Sequence, residues 1–397
     1  MYNHTNTIFN QLLHFIPKSK FNSIVGQHNL NKYRKTFSCR NLLLMLFYSQ
    51  AKWFDSLRPL STSISSHNNL FYHLWIQSVA RSTLSDWMNK TDPIVFETIF
   101  YEILKECKKF DINNKFDFDN EFYALDSTTI TLSLNSFSRA KYQRTKWACK
   151  IHLLLNNKCV IPEIATITDW KKADITIEKQ MKLCEKLEKW SIVVKDRWYI
   201  DYSEFQRFED SWLYFVTRKK INMDLVSIED KHITEDWIMS DSIVENTNIF
   251  GKNQYTWNLR LVKFYDKEND KIYEFITNNL ELSAKTIADI YKKRWQIEIF
   301  FKWIKQNLKI KNFLWQSENA VKNQIWIALI YYLILYYIKC KCNIKYSITE
   351  LTTVIWEMLM HRMSLIDVIG FKKKDIKYIH QRDWPILTNH IKQPLLF

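Results

Sequence analysis

Apolar residues recur at three- and four-residue spacing through the first hundred positions, in NTIFNQLLHFI (6–16), CRNLLLMLFYSQ (39–50) and PIVFETIFYEILKEC (93–107). That period predicts amphipathic helices. From about 120 the pattern changes to short alternating or β-branched runs, FYALDSTTITLSL (122–134), KWACKIHLLLN (146–156), CVIPEIATIT (159–168) and WSIVVKDRWYI (190–200), which predict four strands. KKADITIEKQMKLCEKLEK (171–189) predicts a helix between the last two. Three strands, a helix and a fourth strand describe a mixed α/β core. Residues 205–280 are β-rich, with WLYFVTRKK, YTWNLRLVKFYD and KIYEFITNN, and two long helices follow over about 283–308 and 317–340. The second contains IWIALIYYLILYYI (325–338), about 14 apolar residues where a membrane span needs about 20, so a buried core helix is expected. No repeat or Gly/Ser linker interrupts the chain.

One segment of the helical region, SVARSTLSDWMNK (78–90), reads as a helix entry. Ser82 or Thr83 is the expected cap, with Arg81, Ser82 and Ser85 exposed on the first turn. That suits the reading helix of a helix-turn-helix as well as an ordinary capped helix.

Charge narrows the partners. The chain of 397 residues has a formal net charge of +15, which favours a polyanion such as nucleic acid. Hydrophobic content of 47% with 25% charged residues excludes a disordered chain. The seven cysteines are scattered without a CxxC pair, and the N-terminus lacks the pattern of a secretory signal, so a reduced intracellular chain is expected. Two counts are abnormal: 3 glycines, where average composition gives roughly 28, and 16 tryptophans.

The candidate chemistry rests on carboxylates. Asp126 closes the apolar half of the first predicted strand and Asp196 ends the fourth. An acid at the end of a buried run is costly unless it is paired or coordinated. With Glu298 from a following helix, the two form a set of hard oxygen ligands suited to Mg²⁺ or Mn²⁺ and to phosphoryl transfer. Asp169, Asp174 and Asp201 compete for the second place, and a strand-end Asp also serves as a turn or cap. His152 is a ligand candidate or a satisfied sheet histidine. Arg197 follows the second Asp and can face substrate or pair with a carboxylate; Lys146 and Lys150 read as a solvated strand edge.

Tyr291, Arg294, Glu298 and Lys305 follow one another at steps of three, four and seven residues, one face of a continuous helix. This spacing matches the Y-R-E-K signature of the IS4 family of DDE transposases. ALDSTTITL, KIHLLLN, SIVVKDRWYIDY, FVTRKK, LSAKTIADIYKKRWQIEIFFKWIKQNLKIKNFL and NAVKNQIWIALIYYLIL also resemble that family's core, and NTIFNQLLHFIP, DSLRPL and LFYHLWIQSVARSTLSD resemble the helical domain that often precedes it. The resemblance covers about residues 5–340. It implies an all-α DNA-binding domain over 1–110, an RNase H-like α/β catalytic core over 118–345 with a β-rich insertion at about 205–280, and a tail over 346–397 of unassigned role. It further implies that Asp126, Asp196 and Glu298 are the DDE triad holding two Mg²⁺ ions, for which Mn²⁺ can substitute. Tyr291, Arg294 and Lys305 would touch phosphates, with Arg197 and Arg81 as further DNA contacts. Partners would be the inverted-repeat ends of the element, target DNA and a second copy in a synaptic homodimer, in the bacterial cytoplasm at the nucleoid and away from membranes. A nuclease of the same fold and an inactive DNA-binding relic are the alternatives.

The chain departs from the family systematically. The family places glycine where this chain has Trp53, Trp75, Trp147, Trp170, Trp198 and Trp315, and Trp190 and Trp212 extend the set. A UGA codon, tryptophan in one genetic code and glycine in another, accounts for both abnormal counts. This hypothesis is tested at the gene, where UGG at those positions sinks it. Trp237 and Trp257 in the β-rich segment remain candidates for stacking on a base.

Overall fold

The structure is a computed structural model that describes residues 6–32, 37–71, 74, 79–110, 120–131, 148–169, 171–233, 235–247, 254–307 and 317–369. The chain folds into two compact units, one drawn from 1–111, 132–143 and 303–397, the other from 112–131 and 144–302.

In the first unit, helices Ile8–Leu13, Lys18–Gln27, Cys39–Ala51, Leu57–Ser66, Arg81–Lys90 and Ile94–Cys107 match the helical period of the sequence. Several of them pack on the 24-residue helix Glu318–Lys341. This helix is long and apolar enough to cross a membrane, yet 83% of its most apolar stretch is buried inside the protein. It is apolar on every side, so it needs protein on every side. Cys39–Ala51, Arg81–Lys90, Ile94–Cys107 and Ile348–Met358 supply it. Tyr331 packs edge-on to Phe47 with centroids 5.5 Å apart, and the buried Asn323 amide donates to the carbonyls of Met88 and Thr91. The expected domain of 118–345 therefore differs from the compact units, because this helix buries its surface among the N-terminal helices. Part of the expected tail belongs here too: Gln11 Nε2 donates to the Met363 carbonyl at 2.6 Å. Helix Arg81–Lys90 begins after Ala80, without a side-chain cap, so Ser82 and Thr83 lie inside its first turn instead of capping it.

The second unit is built on one nine-stranded sheet of order β3-β2-β1-β4-β5-β9-β8-β7-β6. Its strands are β1 Phe122–Thr131, β2 Ala148–Asn156, β3 Ile161–Asp169, β4 Ile192–Lys195, β5 Tyr214–Arg218, β6 Leu225–Asp230, β7 Ile238–Asn246, β8 Leu259–Asp266 and β9 Lys271–Thr277. β1, β2 and β3 form an antiparallel meander, and β4 and β5 add to β1 in parallel. This is the RNase H-like arrangement that the resemblance implied. β6–β9 of the β-rich segment continue the same sheet beyond β5 through β9.

Alternation along β1 separates two cores. Tyr123 and Leu125 point to one face, against Ile177 and Met181 of helix Asp174–Met181 and Phe205 and Phe208 of helix Tyr202–Asp210. Phe122 points to the other, with Ile192 and Val194, against Ile287 and Ile290 of helix Ala284–Lys293. Two expected helices are each broken. Lys182 takes a left-handed conformation (φ 53°) and divides 171–189. Arg294 forms a turn between Ala284–Lys293 and Trp295–Asn307, dividing 283–308.

The backbone bears on the tryptophan anomaly. Among the described residues Trp53, Trp190, Trp212 and Trp237 have φ of 56°, 68°, 59° and 69°. That region suits glycine and is a genuine outlier for a bulky side chain. Trp53, Trp190 and Trp212 were singled out from sequence; Trp237 was instead a stacking candidate, and its backbone places it with the glycine set. Trp198 has ordinary φ and is 64% exposed, so strain gives no reason for glycine there. Trp75, Trp147, Trp170 and Trp315 lie outside the described residues.

A comparison of two small replacements isolates the strain. At Trp212, Gly is expected to be more stable than Ala by about 1 kcal/mol, the reverse of their order in ordinary backbone. Both lose the ring, which is half exposed and packs on Trp190, so that contribution cancels. Thermal melting of the two variants measures the difference, and an Ala variant at least as stable as the Gly variant removes backbone strain as the explanation.

Candidate active site: three carboxylates around an arginine

β1 and β4 run in parallel with Leu125 opposite Lys195, so the next residues, Asp126 and Asp196, emerge side by side at the ends of their apolar runs. The two are held alike. Asp126 Oδ1 accepts the Ser127 N–H and Asp196 Oδ1 accepts the Arg197 N–H, each at 2.7 Å. In each aspartate the amide of the following residue thus fixes one carboxylate oxygen.

Asp126 lies on the face of β1 that carries Phe122, toward the break between the two helices. There Arg294 joins two acids: Nη1 is 3.1 Å from Asp126 Oδ2 and Nη2 is 2.6 Å from Glu298 Oε1. Burial raises Asp126 to about 6; Arg294 and the Ser127 amide oppose the rise, and Asp196 and Glu298 add to it. The three carboxylates therefore share one field. Burial works against the charge on Arg294, but Tyr291, Asp126, Glu298 and Asp196 outweigh it and leave its pKa raised.

Hard oxygen donors in a partly buried, mutually repelling set fit a divalent cation chemically. Asp126, Asp196 and Glu298 would hold it. Among the described residues no group of three or more His, Cys, Asp or Glu stands ready as a metal cage. The cation among these acids is a guanidinium.

The other expected site residues are placed differently. Tyr291 lies in the last turn of helix Ala284–Lys293, with the Arg294 guanidinium 5.7 Å from its ring centroid, so it stays beside Arg294 across the turn. Its ring packs on Phe275 with centroids 4.7 Å apart, and its buried hydroxyl makes no hydrogen bond. Arg197 is half-buried beside Asp196, its guanidinium 5.5 Å from the Trp198 ring. Lys305 is in the last turn of the helix that carries Glu298, and Arg81 is exposed at the start of its own; both residues belong to the first unit. Lys146 lies outside the described residues. Of the competing acids, Asp201 caps helix Tyr202–Asp210 and Asp169 accepts the Lys171 N–H in a turn.

Asp174 does something sequence reasoning missed. On the opposite face of the sheet from Asp126 it accepts from Ser127 Oγ at 2.7 Å and pairs with Lys150 at 2.8 Å. Lys150 is on a central strand, so it is not the solvated edge expected. His152 donates to or accepts from Thr168 Oγ1 through Nε2 at 3.0 Å, and its Nδ1 lies 3.3 Å from Asp174 without making a hydrogen bond. A Lys and a His two apart on one strand face were the available signal.

His152 gives a pH prediction. Burial lowers its pKa from 6.5 to about 4, against the pull of Asp174. Between those values the unfolded chain binds the extra proton, so stability present above pH 6.5 is lost as pH falls. The expected loss by pH 4 is about 3 kcal/mol. Urea midpoints from pH 7 to 4 should fall less steeply in His152→Asn; equal slopes would acquit His152.

Comparison with known proteins gives the same family from sequence alone. The family model of the transposase DDE domain matches residues 117–334, more than half of the chain. A domain of unknown function, DUF4372, matches 4–77. "Probable transposase for insertion sequence element IS5377" of Geobacillus stearothermophilus is 27% identical over 64% of this chain, which spans 66% of that relative, just under two thirds. "Putative transposase y4zB" of Sinorhizobium fredii is 28% identical over 61% of this chain and 67% of its own length. "Putative transposase for insertion sequence element IS4SA" of Synechocystis sp. is 27% identical over 70% of this chain and 77% of its own.

Proposed function

The chain belongs to the transposases with a DDE domain, and from that premise we propose that it excises and integrates an insertion element by phosphodiester hydrolysis and strand transfer. The observation that supports this most is the pairing of Asp126 and Asp196 on adjacent parallel strands, in one field with Glu298.

DDE transposases use divalent metal ions and bind the ends of their element. Here Asp126, Asp196 and Glu298 hold two Mg²⁺ ions, replaceable by Mn²⁺. When bound, such ions supply activation of the attacking oxygen and stabilisation of the leaving one. The Ser127 and Arg197 amides keep one oxygen of each aspartate fixed, which orients the other toward the ligand. The basic excess of +15 holds the DNA. From 285 to 311 eight Lys and Arg outnumber two acids, and Tyr291, Arg294 and Lys305 meet phosphates of the transposon end. Arg197 and Arg81 add contacts. The partners are inverted-repeat ends, target DNA and a second copy in the synaptic complex; the site of action is the cytoplasm at the nucleoid.

The test is cleavage of a supercoiled plasmid carrying the gene's own flanking DNA, with and without Mg²⁺ or Mn²⁺. Metal-dependent breaks at the flanks followed by joined products are expected. Breaks without joining would make the protein a nuclease. DNA binding without breaks would leave a relic, a reading that tryptophan at left-handed positions favours for the chain as written.

A further inference from the structure

Arg294 makes its contacts with the atoms a metal needs. Asp126 Oδ1 already accepts the Ser127 N–H, so Oδ2 is the less engaged oxygen, and Oδ2 is the atom 3.1 Å from Arg294 Nη1. The other end of the guanidinium takes Glu298 Oε1 at 2.6 Å. Only 14% of the side chain is exposed, and its Nε is buried without an acceptor. A divalent cation among these acids would therefore sit against a guanidinium already bound to two of them, and at such range like charges repel strongly.

Resting on the reading of these acids as metal ligands, we infer that Arg294 is a built-in counter-ion that metal must displace from Asp126 and Glu298. Without metal, the guanidinium neutralises two acids that would otherwise repel one another across a partly buried site. When metal takes the oxygens, the fork of donors is released. Its position at the turn between two helices leaves it outside the regular turns of either one. A freed guanidinium matches a phosphate in a way a lysine ammonium does not, because its donors are planar and paired. Phosphate and metal are then coupled: whatever holds Arg294 away from the acids raises metal affinity, and the reverse holds by linkage. The contact keeps the acids occupied until substrate and metal arrive together.

Mn²⁺ binding to the full chain without DNA, followed by the electron paramagnetic resonance of free Mn²⁺, tests this. Arg294→Gln is expected to bind Mn²⁺ about five-fold or more tightly than wild type. Arg294→Lys, which retains a charge, stays near the wild-type value and controls for loss of fold, as do the melting curves of both variants. Weaker or unchanged Mn²⁺ binding in folded Arg294→Gln overturns the inference while leaving the triad standing. Arg294→Gln that binds Mn²⁺ no better than the Arg294→Gln/Asp126→Asn double variant removes the metal reading of the acids, and this inference with it.

Discussion

Asp126→Asn, Asp196→Asn and Glu298→Gln each reduce metal-dependent plasmid cleavage by roughly a thousand-fold or more, because several kcal/mol of charge stabilisation depend on the full carboxylate set. Each replacement keeps shape and one acceptor oxygen. Asn at 126 or 196 still accepts the following amide, so the strand ends stay in place. Groups that act as one unit lose activity together, so the Asp126→Asn/Glu298→Gln pair should be no slower than either single variant. Melting curves close to wild type separate this loss from unfolding. A single variant that retains a tenth of the activity would remove that residue from the set. Asp174→Asn serves as contrast: Asp174 lies across the sheet and touches Ser127, Lys150 and His152, none of the triad. Its replacement should cost far less activity.

Glu178→Gln produces the largest expected loss of stability. Glu178 Oε1 is 2.7 Å from Lys195 Nζ, and both residues are essentially inaccessible. The ammonium lies 4.6 Å from the Phe208 ring centroid and 5.2 Å from that of Phe205. Burial raises the Glu178 pKa, and Lys195 opposes the rise. Removing one charge strands the other in this apolar setting, at a cost of about 3–5 kcal/mol. Replacing both, as Glu178→Leu with Lys195→Met, leaves no stranded charge and should be neutral or stabilising by about 1–4 kcal/mol. Urea midpoints of the wild type, Glu178→Gln and the double variant decide the matter. A Glu178→Gln midpoint within error of wild type would show that water reaches the pair. Lys195 directly precedes Asp196, so the same variant should also weaken cleavage.

The acids were legible because each ends a run that sequence can read. Asp126 and Asp196 terminate apolar strands, and Glu298 belongs to a spaced signature. Their adjacency depends on β4 pairing with β1 and not with its sequence neighbour β3, which the resemblance implied and local periodicity could not. The break at Arg294 was not legible. A continuous helical pattern runs through YKKRWQIE, and only tertiary contact with Asp126 turns the arginine inward. The same limit applies to Lys195. Its charge inside SIVVKD was visible, but its partner lies on a helix whose contact with β4 is a property of the sheet. Helix Glu318–Lys341 had the expected apolar character, while its packing neighbours, the N-terminal helices, could not be read from sequence order. For Trp237 the side chain suggested stacking, and only the backbone dihedral assigned it to the positions that suit glycine.

The placement of the three acids has a consequence during synthesis. Asp126 and Asp196 can meet once β1 and β4 have left the ribosome, but Glu298 follows roughly a hundred residues later. At about 5–20 residues per second that interval lasts on the order of 5–20 s. Throughout it the nascent chain has two aspartates beside each other and neither Glu298 nor Arg294. A ribosome stalled within β6–β9 would thus carry a chain with two of the three acids and without the arginine that joins Asp126 to Glu298.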